Sequence, residues 1–383
     1  MKTCRAMWCF VAVMAVTCPV KGDEKRIQSR QFTYLSSLDN TELMAMIWLP
    51  QAEPPWPVMI LQHGYMGDRS HVRWSGTRLA QKGFLCISMD LRGWGASKSV
   101  PHDDGGIEIM DLYDGLQAAG EERWGKNLDM TYISMIGYSN GGGAAYFATV
   151  RFPYLFRGSL ALFGIPDYGQ WITLNEAFRD KVIAAVGGTP AEEPDRYLVR
   201  RAKLAAGNLH SGTRFHIAYD EEEKLCPIVM NTQFIDTARE AGIENIFLHV
   251  SKTSDANRWK HGYNNEKTNA LSAIEDRFVA DLEANGKQPI MPDDGELVAL
   301  GFLITPKFRL FLGTGENAAA RITYAIKGAT AKFKLTPLTS DPTATARLTL
   351  PYPISKATVD GTLTMVTNNT IICRLDSTII CQQ

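Results

Sequence analysis

The sequence predicts an α/β fold built on a mostly parallel sheet, followed by a smaller antiparallel β unit. Between residues 58 and 250, short apolar segments alternate with helical segments, which indicates right-handed βαβ units. After Glu283 the sequence changes to runs rich in Thr, Val, Ile and Leu, separated by Gly and Pro. A chain of 383 residues, with 45% hydrophobic and 21% charged residues, is long enough to bury a core in each unit.

The charge pattern excludes some classes of function. The formal net charge is −1, without the basic excess that nucleic-acid binding requires and without a long acidic tail. No His-x-x-x-His or Cys-x-x-Cys spacing is present, so the sequence predicts no metal site. The chemistry predicted below requires no cofactor.

The first 22 residues are typical of a secretory signal peptide. Lys2 and Arg5 precede an apolar run over residues 6–16, which is short for a membrane span, and Gly22 allows a cut after a small residue. An uncleaved anchor and lipid attachment at Cys18 are the alternatives. We expect a secreted, periplasmic or extracellular protein with no membrane span once the signal is removed.

The mature chain is predicted to contain a catalytic domain over residues 23–285, a linker over 286–296 and a β-sandwich-like domain over 297–383. The expected strands of the catalytic domain are residues 31–38, 43–49, 58–62, 84–89, 132–136, 158–163, 215–219 and 245–250. Helices are expected over 71–81, 107–120 and 141–150.

Residues 164–212 interrupt the alternation because they contain helical segments but no predicted strand. Two interpretations stay open: a helical cap over the site, or connecting helices without contact to the substrate.

The last domain carries strand-like runs over 308–312, 319–325, 346–350 and 362–366. Cys373 and Cys381 flank a short polar segment that predicts a hairpin turn. In an oxidising compartment the two cysteines could form a disulfide across the hairpin, or they could remain unpaired. This domain could bind a polymer or a partner, or cover the catalytic domain.

The nucleophile is predicted from the motif Gly137-Tyr138-Ser139-Asn140-Gly141, which fits G-x-S-x-G. The motif stands between a predicted buried strand and a helix that begins with small residues, which is the context this motif requires. A serine on such a turn adopts a strained backbone, and larger flanking residues would collide with the neighbouring strand and helix. Ser139 is therefore the predicted nucleophile, with Gly137 and Gly141 forming the elbow.

The base must follow the nucleophile, since the order along the chain after this motif is serine, acid, histidine. His249 and His261 are the two histidines beyond the strand at residue 215. His249 falls inside a strand and is expected to pack there, whereas His261 lies in the following loop and is the predicted base.

Four acids, residues 220–223, follow the strand at 215–219. The acid is expected a few residues before a turn proline, and Pro227 makes Glu223 the first choice. Aspartate is commoner in this role, so Asp220 is the second choice. The acid would hold His261 in one tautomer and stabilise its imidazolium.

The oxyanion requires preset donors. The backbone N–H of Asn140 is one candidate, and the N–H of Tyr65, in the loop after residue 62, is the other. His63 is expected to brace that loop, and Trp94 and Trp171 are candidates to line the substrate pocket.

Across residues 58–282 these motifs resemble the α/β-hydrolase superfamily, and within it the prolyl oligopeptidase catalytic domain and its esterase relatives, including acetyl xylan esterases. Three runs carry the resemblance: Ser-Asn-Gly-Gly from Ser139, Arg-Phe-Pro-Tyr-Leu-Phe over 151–156 and Gly-Ile-Pro-Asp over 164–167. Prolyl oligopeptidases also carry a β-propeller, for which this chain has no room. Their oxyanion tyrosine would fall near His63, so that donor is lost here unless the Tyr65 side chain replaces it.

Three functions are compatible with these observations. The first is a secreted carboxylic ester hydrolase that works through an acyl-enzyme. The second is a peptidase of the prolyl oligopeptidase type acting on short peptides, for which the sequence offers no recognisable anchor. The third is a catalytically silent, hydrolase-like binding protein, which the loss of a triad residue would indicate. The absence of a propeller favours the ester hydrolase.

Overall fold

A computed structural model describes residues 27–122, 124–256, 258–261, 270–341 and 343–383. The predicted signal peptide lies outside the described residues. Within them, no helix is both long enough and apolar enough to cross a membrane. The described residues form one eight-stranded and one ten-stranded sheet.

The first sheet runs in the order β1-β2-β4-β3-β5-β6-β7-β8. Its strands are β1 (Gln28–Leu35), β2 (Glu42–Leu49), β3 (Trp56–Gln62), β4 (Leu85–Met89), β5 (Leu128–Tyr138), β6 (Phe156–Leu162), β7 (Arg214–Asp220) and β8 (Ile246–Ser251). β2 pairs antiparallel with β1 and β4, and the other neighbours pair in parallel. The prediction of a mostly parallel α/β sheet is confirmed.

Eight described helices accompany this sheet: α1 (Arg73–Gln81), α2 (Glu108–Glu121), α3 (Asn140–Arg151), α4 (Tyr168–Leu174), α5 (Glu176–Val186), α6 (Pro194–Val199), α7 (Ile228–Glu240) and α8 (Ala270–Asn285). Every residue of β4 is buried, as expected for a parallel-sheet strand that is covered on both faces.

The segment 164–212, all of which the structure describes, contains helices and no strand. It includes α4 to α6 and a 3₁₀ segment over 202–211. Asn175 ends α4 and begins α5, so one capping residue joins the two helices. Trp171 of α4 and Phe178 of α5 both pack on the ring of Tyr65, in the loop after β3. These contacts favour the cap interpretation, and we call residues 164–212 the cap.

The second sheet contains β9 (Asp294–Leu300), β10 (Phe302–Ile304), β11 (Arg309–Leu312), β12 (Ala319–Lys327), β13 (Thr330–Pro337), β14 (Thr345–Thr349), β15 (Lys356–Val359), β16 (Thr362–Leu363), β17 (Thr370–Arg374) and β18 (Thr378–Gln382). All its pairings are antiparallel, in the order β16-β15-β18-β13-β12-β9-β10-β11-β14-β17. β9 begins at Asp294, so the predicted linker over 286–296 is too long by three residues.

The ten-stranded sheet closes around a core of its own. β17 and β18 are seven places apart in the strand order, which would separate them by about 34 Å in a flat sheet. However, Cys373 of β17 and Cys381 of β18 belong to one buried cluster, and residues 375–377 alone separate the two strands along the chain. The sheet must therefore bend so that these two strands lie near each other, which is compatible with the predicted sandwich-like domain.

The hairpin predicted between Cys373 and Cys381 is wrong. β17 pairs with β14, whereas β18 pairs with β13 and β15, so the turn between them crosses from one layer of the core to the other. Both cysteines are buried as free thiols.

The outer face of β9 and β10 packs on the catalytic domain. Val298, Leu300 and Phe302 belong to the same hydrophobic core as the eight-stranded sheet. The fully buried Phe302 ring lies 5.9 Å from that of Phe152, and the Arg151 guanidinium lies 4.8 Å from its centre. The two units therefore share an apolar interface.

Replacing Phe302 tests this interface. We expect Phe302→Ala to lower the free energy of unfolding by about 3–5 kcal/mol, because it leaves a cavity between the two units. Urea denaturation followed by tryptophan fluorescence measures the change. Leu363→Ala is the control, since Leu363 is 68% exposed and its loss should cost under about 0.5 kcal/mol. Equal stability of the two variants would contradict a shared interface.

Candidate active site

Ser139 stands on a tight turn between β5 and α3, with φ 58° and ψ −116°. Only flanking glycines permit this turn. A Cβ on Gly137 would lie 1.9 Å from the carbonyl oxygen of Gly141, and a Cβ on Gly141 would lie 2.2 Å from that of Gln62. The G-x-S-x-G motif thus places the serine at the carboxyl end of a central strand in a conformation that non-glycine residues rarely adopt.

The structure brings Ser139, His261 and Glu223 together. Ser139 Oγ lies 2.8 Å from His261 Nε2, and His261 Nδ1 lies 3.1 Å from Glu223 Oε1. In the neutral imidazole, Nδ1–H donates to the carboxylate and Nε2 accepts the serine proton. The arrangement can activate a hydroxyl for attack on an acyl carbon.

Phe163, directly after β6, orients the imidazole. Its ring stacks on that of His261 with centroids 5.0 Å apart and planes 16° apart. The sequence predicts Phe163 as the last residue of a strand. Nothing in the sequence marks it as part of the site, because the contact depends on a loop about a hundred residues further on.

The turn after β7 distinguishes the two candidate acids. Glu223 Oε1 accepts hydrogen bonds from the backbone N–H groups of Leu225, at 2.7 Å, and Cys226, at 2.9 Å, which hold it towards His261. Asp220 instead pairs with Arg258, with both of its carboxylate oxygens 2.5 Å from guanidinium nitrogens. Partial burial opposes the effect, but these hydrogen bonds lower the pKa of Asp220. The geometry selects Glu223.

The predicted oxyanion donors lie beside the nucleophile. Asn140 is the first residue of α3, so its N–H has no acceptor within the helix. A Cβ on Gly64 would be 3.0 Å from Ser139 Cβ, which places the backbone before Tyr65 against the serine. His63 braces this loop, since its Nδ1 bonds the Gly64 carbonyl at 2.8 Å and its Nε2 accepts from Leu91 N–H at 3.1 Å.

The side-chain hydroxyl of Tyr65 is already engaged. It donates to Asp104 Oδ2 at 2.6 Å and lies 3.3 Å from His102 Nε2. The possibility that this hydroxyl serves the oxyanion is therefore not supported, and the backbone N–H of Tyr65 stays the predicted donor.

Four rings surround that of Tyr65, and together the five form what we call the aromatic cluster. They are Tyr65, Trp94, His102, Trp171 and Phe178, with the four centroids 5.3–6.2 Å from that of Tyr65. Both tryptophans named from the sequence are included. His102 and Phe178 were missed because they come from a loop and from the cap, without a motif.

Asp104 is fully buried beneath the aromatic cluster. Burial raises the pKa of its carboxyl to about 7, against the opposing hydrogen bond from Tyr65. Its Oδ1 has no hydrogen-bond partner among the described residues. The neighbouring Asp103 differs because it pairs with the buried guanidinium of Arg200.

Cys226 completes a group of potential ligands that the sequence did not predict. A carboxylate oxygen of Glu223, Sγ of Cys226 and a ring nitrogen of His261 all lie within 4.8 Å of one another. Cys226 also has a hydrogen bond with Ser139, although burial and the nearby Glu223 raise its pKa well above the usual range. Spacing rules miss this group because residues 223–226 and 261 come from different loops.

The comparisons with known proteins agree with this fold. A family model described as X-Pro dipeptidyl-peptidase (S15 family) matches residues 39–268. Curated proteins provide no match. Solved structures provide many, at identities that establish likeness of fold alone.

Three of these structures show that the similar proteins include both peptidases and an esterase. An acylaminoacyl peptidase from Pyrococcus horikoshii is 18% identical with a TM-score of 0.57, over 70% of this chain and 43% of its own. Dipeptidyl peptidase 4 from Porphyromonas gingivalis is 19% identical with a TM-score of 0.54, over 67% of this chain and 36% of its own. An esterase from Pyrococcus furiosus is 16% identical with a TM-score of 0.50, over 67% of this chain and 93% of its own. The chain thus covers less than half of the length of the two peptidases. Together with the family match, these structures confirm the resemblance to prolyl oligopeptidase-like α/β-hydrolases.

The choice of acid can be tested with two matched amide variants. We expect Glu223→Gln to slow labelling of Ser139 by a fluorophosphonate on the order of 10²–10⁴-fold, because the neutral amide does not stabilise the imidazolium. Asp220→Asn should keep the rate within about tenfold, since it removes only the pairing with Arg258. Labelling rates from gel fluorescence measure both. An equal loss in the two variants would refute the assignment of Glu223.

Asp104 predicts a pH-dependent stability. Its pKa is higher in the folded chain than in the unfolded chain, so the folded state retains a proton and loses stability as pH rises from about 4 to about 7. Asp104→Asn cannot titrate, so its free energy of unfolding relative to the wild type should rise by about 1–4 kcal/mol across this range. Urea denaturation at several pH values measures the difference.

The control is Asp293→Asn. A hydrogen bond from Lys307 lowers the pKa of that exposed carboxyl. Asp293 is therefore ionised in both the folded and the unfolded chain above about pH 4, and the free energy of unfolding of this variant relative to the wild type should not change between about pH 4 and about pH 7. If the free energy of unfolding of Asp104→Asn relative to the wild type also stayed constant across this pH range, Asp104 would already be ionised at about pH 4 in the folded chain, and the prediction would be wrong.

Proposed function

Because the chain belongs to the X-Pro dipeptidyl-peptidase (S15) family and is a serine hydrolase, we propose that it cleaves carboxylic esters with an apolar, aromatic or cyclic group beside the scissile bond. The single observation that carries the mechanism is the hydrogen-bonded chain from Ser139 through His261 to Glu223. The proposed class of substrate rests on the aromatic cluster, whose rings would contact that apolar group.

In the proposed reaction, Ser139 Oγ attacks the carbonyl carbon while His261 Nε2 takes the hydroxyl proton. The N–H groups of Asn140 and Tyr65 receive the oxyanion. The intermediate collapses by breaking the bond to the leaving oxygen, which receives the proton from His261 and departs as an alcohol. Water then gives a proton to His261 and attacks the acyl carbon, which releases the acid and returns the proton to Ser139.

The surroundings of the aromatic cluster favour an ester over a peptide with a free amino terminus. Recognition of an ammonium group would require an accessible carboxylate. Among the described acids, Asp103, Asp104 and Glu108 lie close enough to Tyr65 to raise its pKa, and each is at most 6% exposed. Asp103 is paired with Arg200, Asp104 accepts from Tyr65, and Glu108 accepts from the N–H of Gly105. Burial keeps these three carboxylates away from a substrate ammonium group, so the rings of the aromatic cluster are the surface that we propose for the substrate.

A short-peptide hydrolase is the second candidate. The family description favours it directly, and so do the two peptidases among the similar structures. The same serine, histidine and acid would act on a peptide bond, with an amine as leaving group. The aromatic cluster could then hold a proline or an aromatic side chain.

Export and a role for the C-terminal domain also remain proposals. The apolar segment before Gly22 supports secretion, and amino-terminal sequencing of the protein from culture medium would test cleavage after that residue. On the C-terminal domain, the outer face of β9 and β10 is occupied by the catalytic domain, so a polymer or partner would bind the remaining surface.

The experiment compares p-nitrophenyl esters of acetate and phenylacetate with a Gly-Pro anilide. We expect kcat/KM for the phenylacetate ester to exceed that for the anilide by at least about tenfold, and Ser139→Ala to abolish both activities. Ser134→Ala is the matched control, because this buried serine on the same strand, β5, has no hydrogen-bond partner at Oγ within the part of the chain that the structure describes. Faster cleavage of the anilide would favour the peptidase, and retained hydrolysis in Ser139→Ala would refute the mechanism.

A further inference from the structure

The donors of Glu223, Cys226 and His261 differ chemically but converge on one place. They offer a carboxylate oxygen, a sulfur and an imidazole nitrogen, all within 4.8 Å of one another. In a tetrahedral zinc site the bonds measure about 2.0–2.3 Å, so neighbouring ligand atoms lie roughly 3.5 Å apart. A shift of about 1 Å would bring the three atoms to that spacing.

We propose that Glu223, Cys226 and His261 bind Zn²⁺ or a similar thiophilic divalent cation, and that this ion switches the hydrolase off. Mixed sulfur, nitrogen and oxygen ligands are the set that Zn²⁺ prefers, whereas Mg²⁺ and Ca²⁺ prefer oxygen alone. The ion binds the thiolate, and the thiol proton passes to solvent. Three protein ligands leave a fourth position for water or Ser139 Oγ.

The turn that carries two of the ligands is held from several directions. The backbone N–H of Cys226 donates to Glu223 Oε1, which ties the acid and the thiol into one turn. The carbonyl oxygen of Leu225 accepts from Trp171 Nε1 at 2.6 Å and from Asn175 Nδ2 at 2.9 Å, both in the cap. Little chain entropy is therefore lost when an ion binds, because the ligands are already ordered.

Inhibition follows from the ligands that the ion takes. If it occupies Nε2 of His261, the imidazole has no lone pair to accept the proton of Ser139. If it occupies Nδ1, the hydrogen bond to Glu223 is lost, and with it the orientation of the ring. In either case the serine loses its base. The inhibitory effect rests on the proposed function, but binding of the ion does not.

Binding is tested with Co²⁺, which substitutes for Zn²⁺ and absorbs in the near ultraviolet when a thiolate coordinates it. We expect the full-length protein to develop this thiolate-to-cobalt band at one equivalent, and Zn²⁺ to displace it. Cys226→Ala should lose the band, whereas Cys86→Ala should keep it, because Cys86 is a buried thiol on β4 outside the group. Apart from positions 86 and 226, the two variants contain the same cysteines. A thiolate-to-cobalt band that persists in Cys226→Ala therefore overturns the proposal.

Inhibition is tested by fluorophosphonate labelling of Ser139 in increasing ZnCl₂. We expect Zn²⁺ to slow labelling, EDTA to restore it, and MgCl₂ to have no effect. The Zn²⁺ concentration for half-inhibition should rise at least tenfold in Cys226→Ala and in the more conservative Cys226→Ser, but not in Cys86→Ala. Equal inhibition of all variants would overturn the role of Cys226. If no variant labels at all, the proposed function fails, while the cobalt spectra still decide whether the ion binds.

Discussion

The position of Ser139 depends on one backbone constraint, the left-handed turn that only bare glycines on both sides permit. A side chain at Gly137 or Gly141 would occupy the space of a backbone carbonyl, so the turn could not close. Because β5 lies inside a run of parallel strands, its carboxyl end shares an edge with those of β7 and β8. Glu223 and His261 follow those two strands, so the strand order by itself brings all three residues to the same edge.

The cap and the C-terminal domain extend this arrangement. Trp171 stacks in the aromatic cluster and also holds the carbonyl oxygen of Leu225, so one side chain supports both the substrate surface and the turn that carries the acid. At the other end of the cap, Arg200 is fully buried and pairs with Asp103 and with Glu316, between β11 and β12. A buried guanidinium is costly unless both charge and hydrogen bonds are satisfied. The C-terminal domain therefore supplies part of what holds the cap in place.

Sequence reasoning succeeded where the determining interactions are local. The elbow glycines and the apolar runs of the parallel strands are visible in short windows, and the chain order of serine, acid and histidine follows from the elbow motif. It failed where contacts join distant segments. Cys373 and Cys381 suggested a hairpin because they are close in the chain, but pairing with β14 and β13 draws their strands to opposite layers. The acid beneath Tyr65 and the ring beside His261 carried no local signal, since only the folded loops bring Asp104 and Phe163 there.

The choice of Glu223 as acid and the presence of a thiol at the site have a common cause. Glu223 reaches His261 because the turn folds back and the N–H groups of residues 225 and 226 bind its carboxylate. The same fold-back points the chain at Cys226 towards Ser139, so a side chain there must lie against the nucleophile. An apolar residue at this position would satisfy packing alone, whereas sulfur adds a soft donor beside an imidazole and a carboxylate. The geometry that makes the acid effective therefore also makes the site able to bind a cation that competes with catalysis.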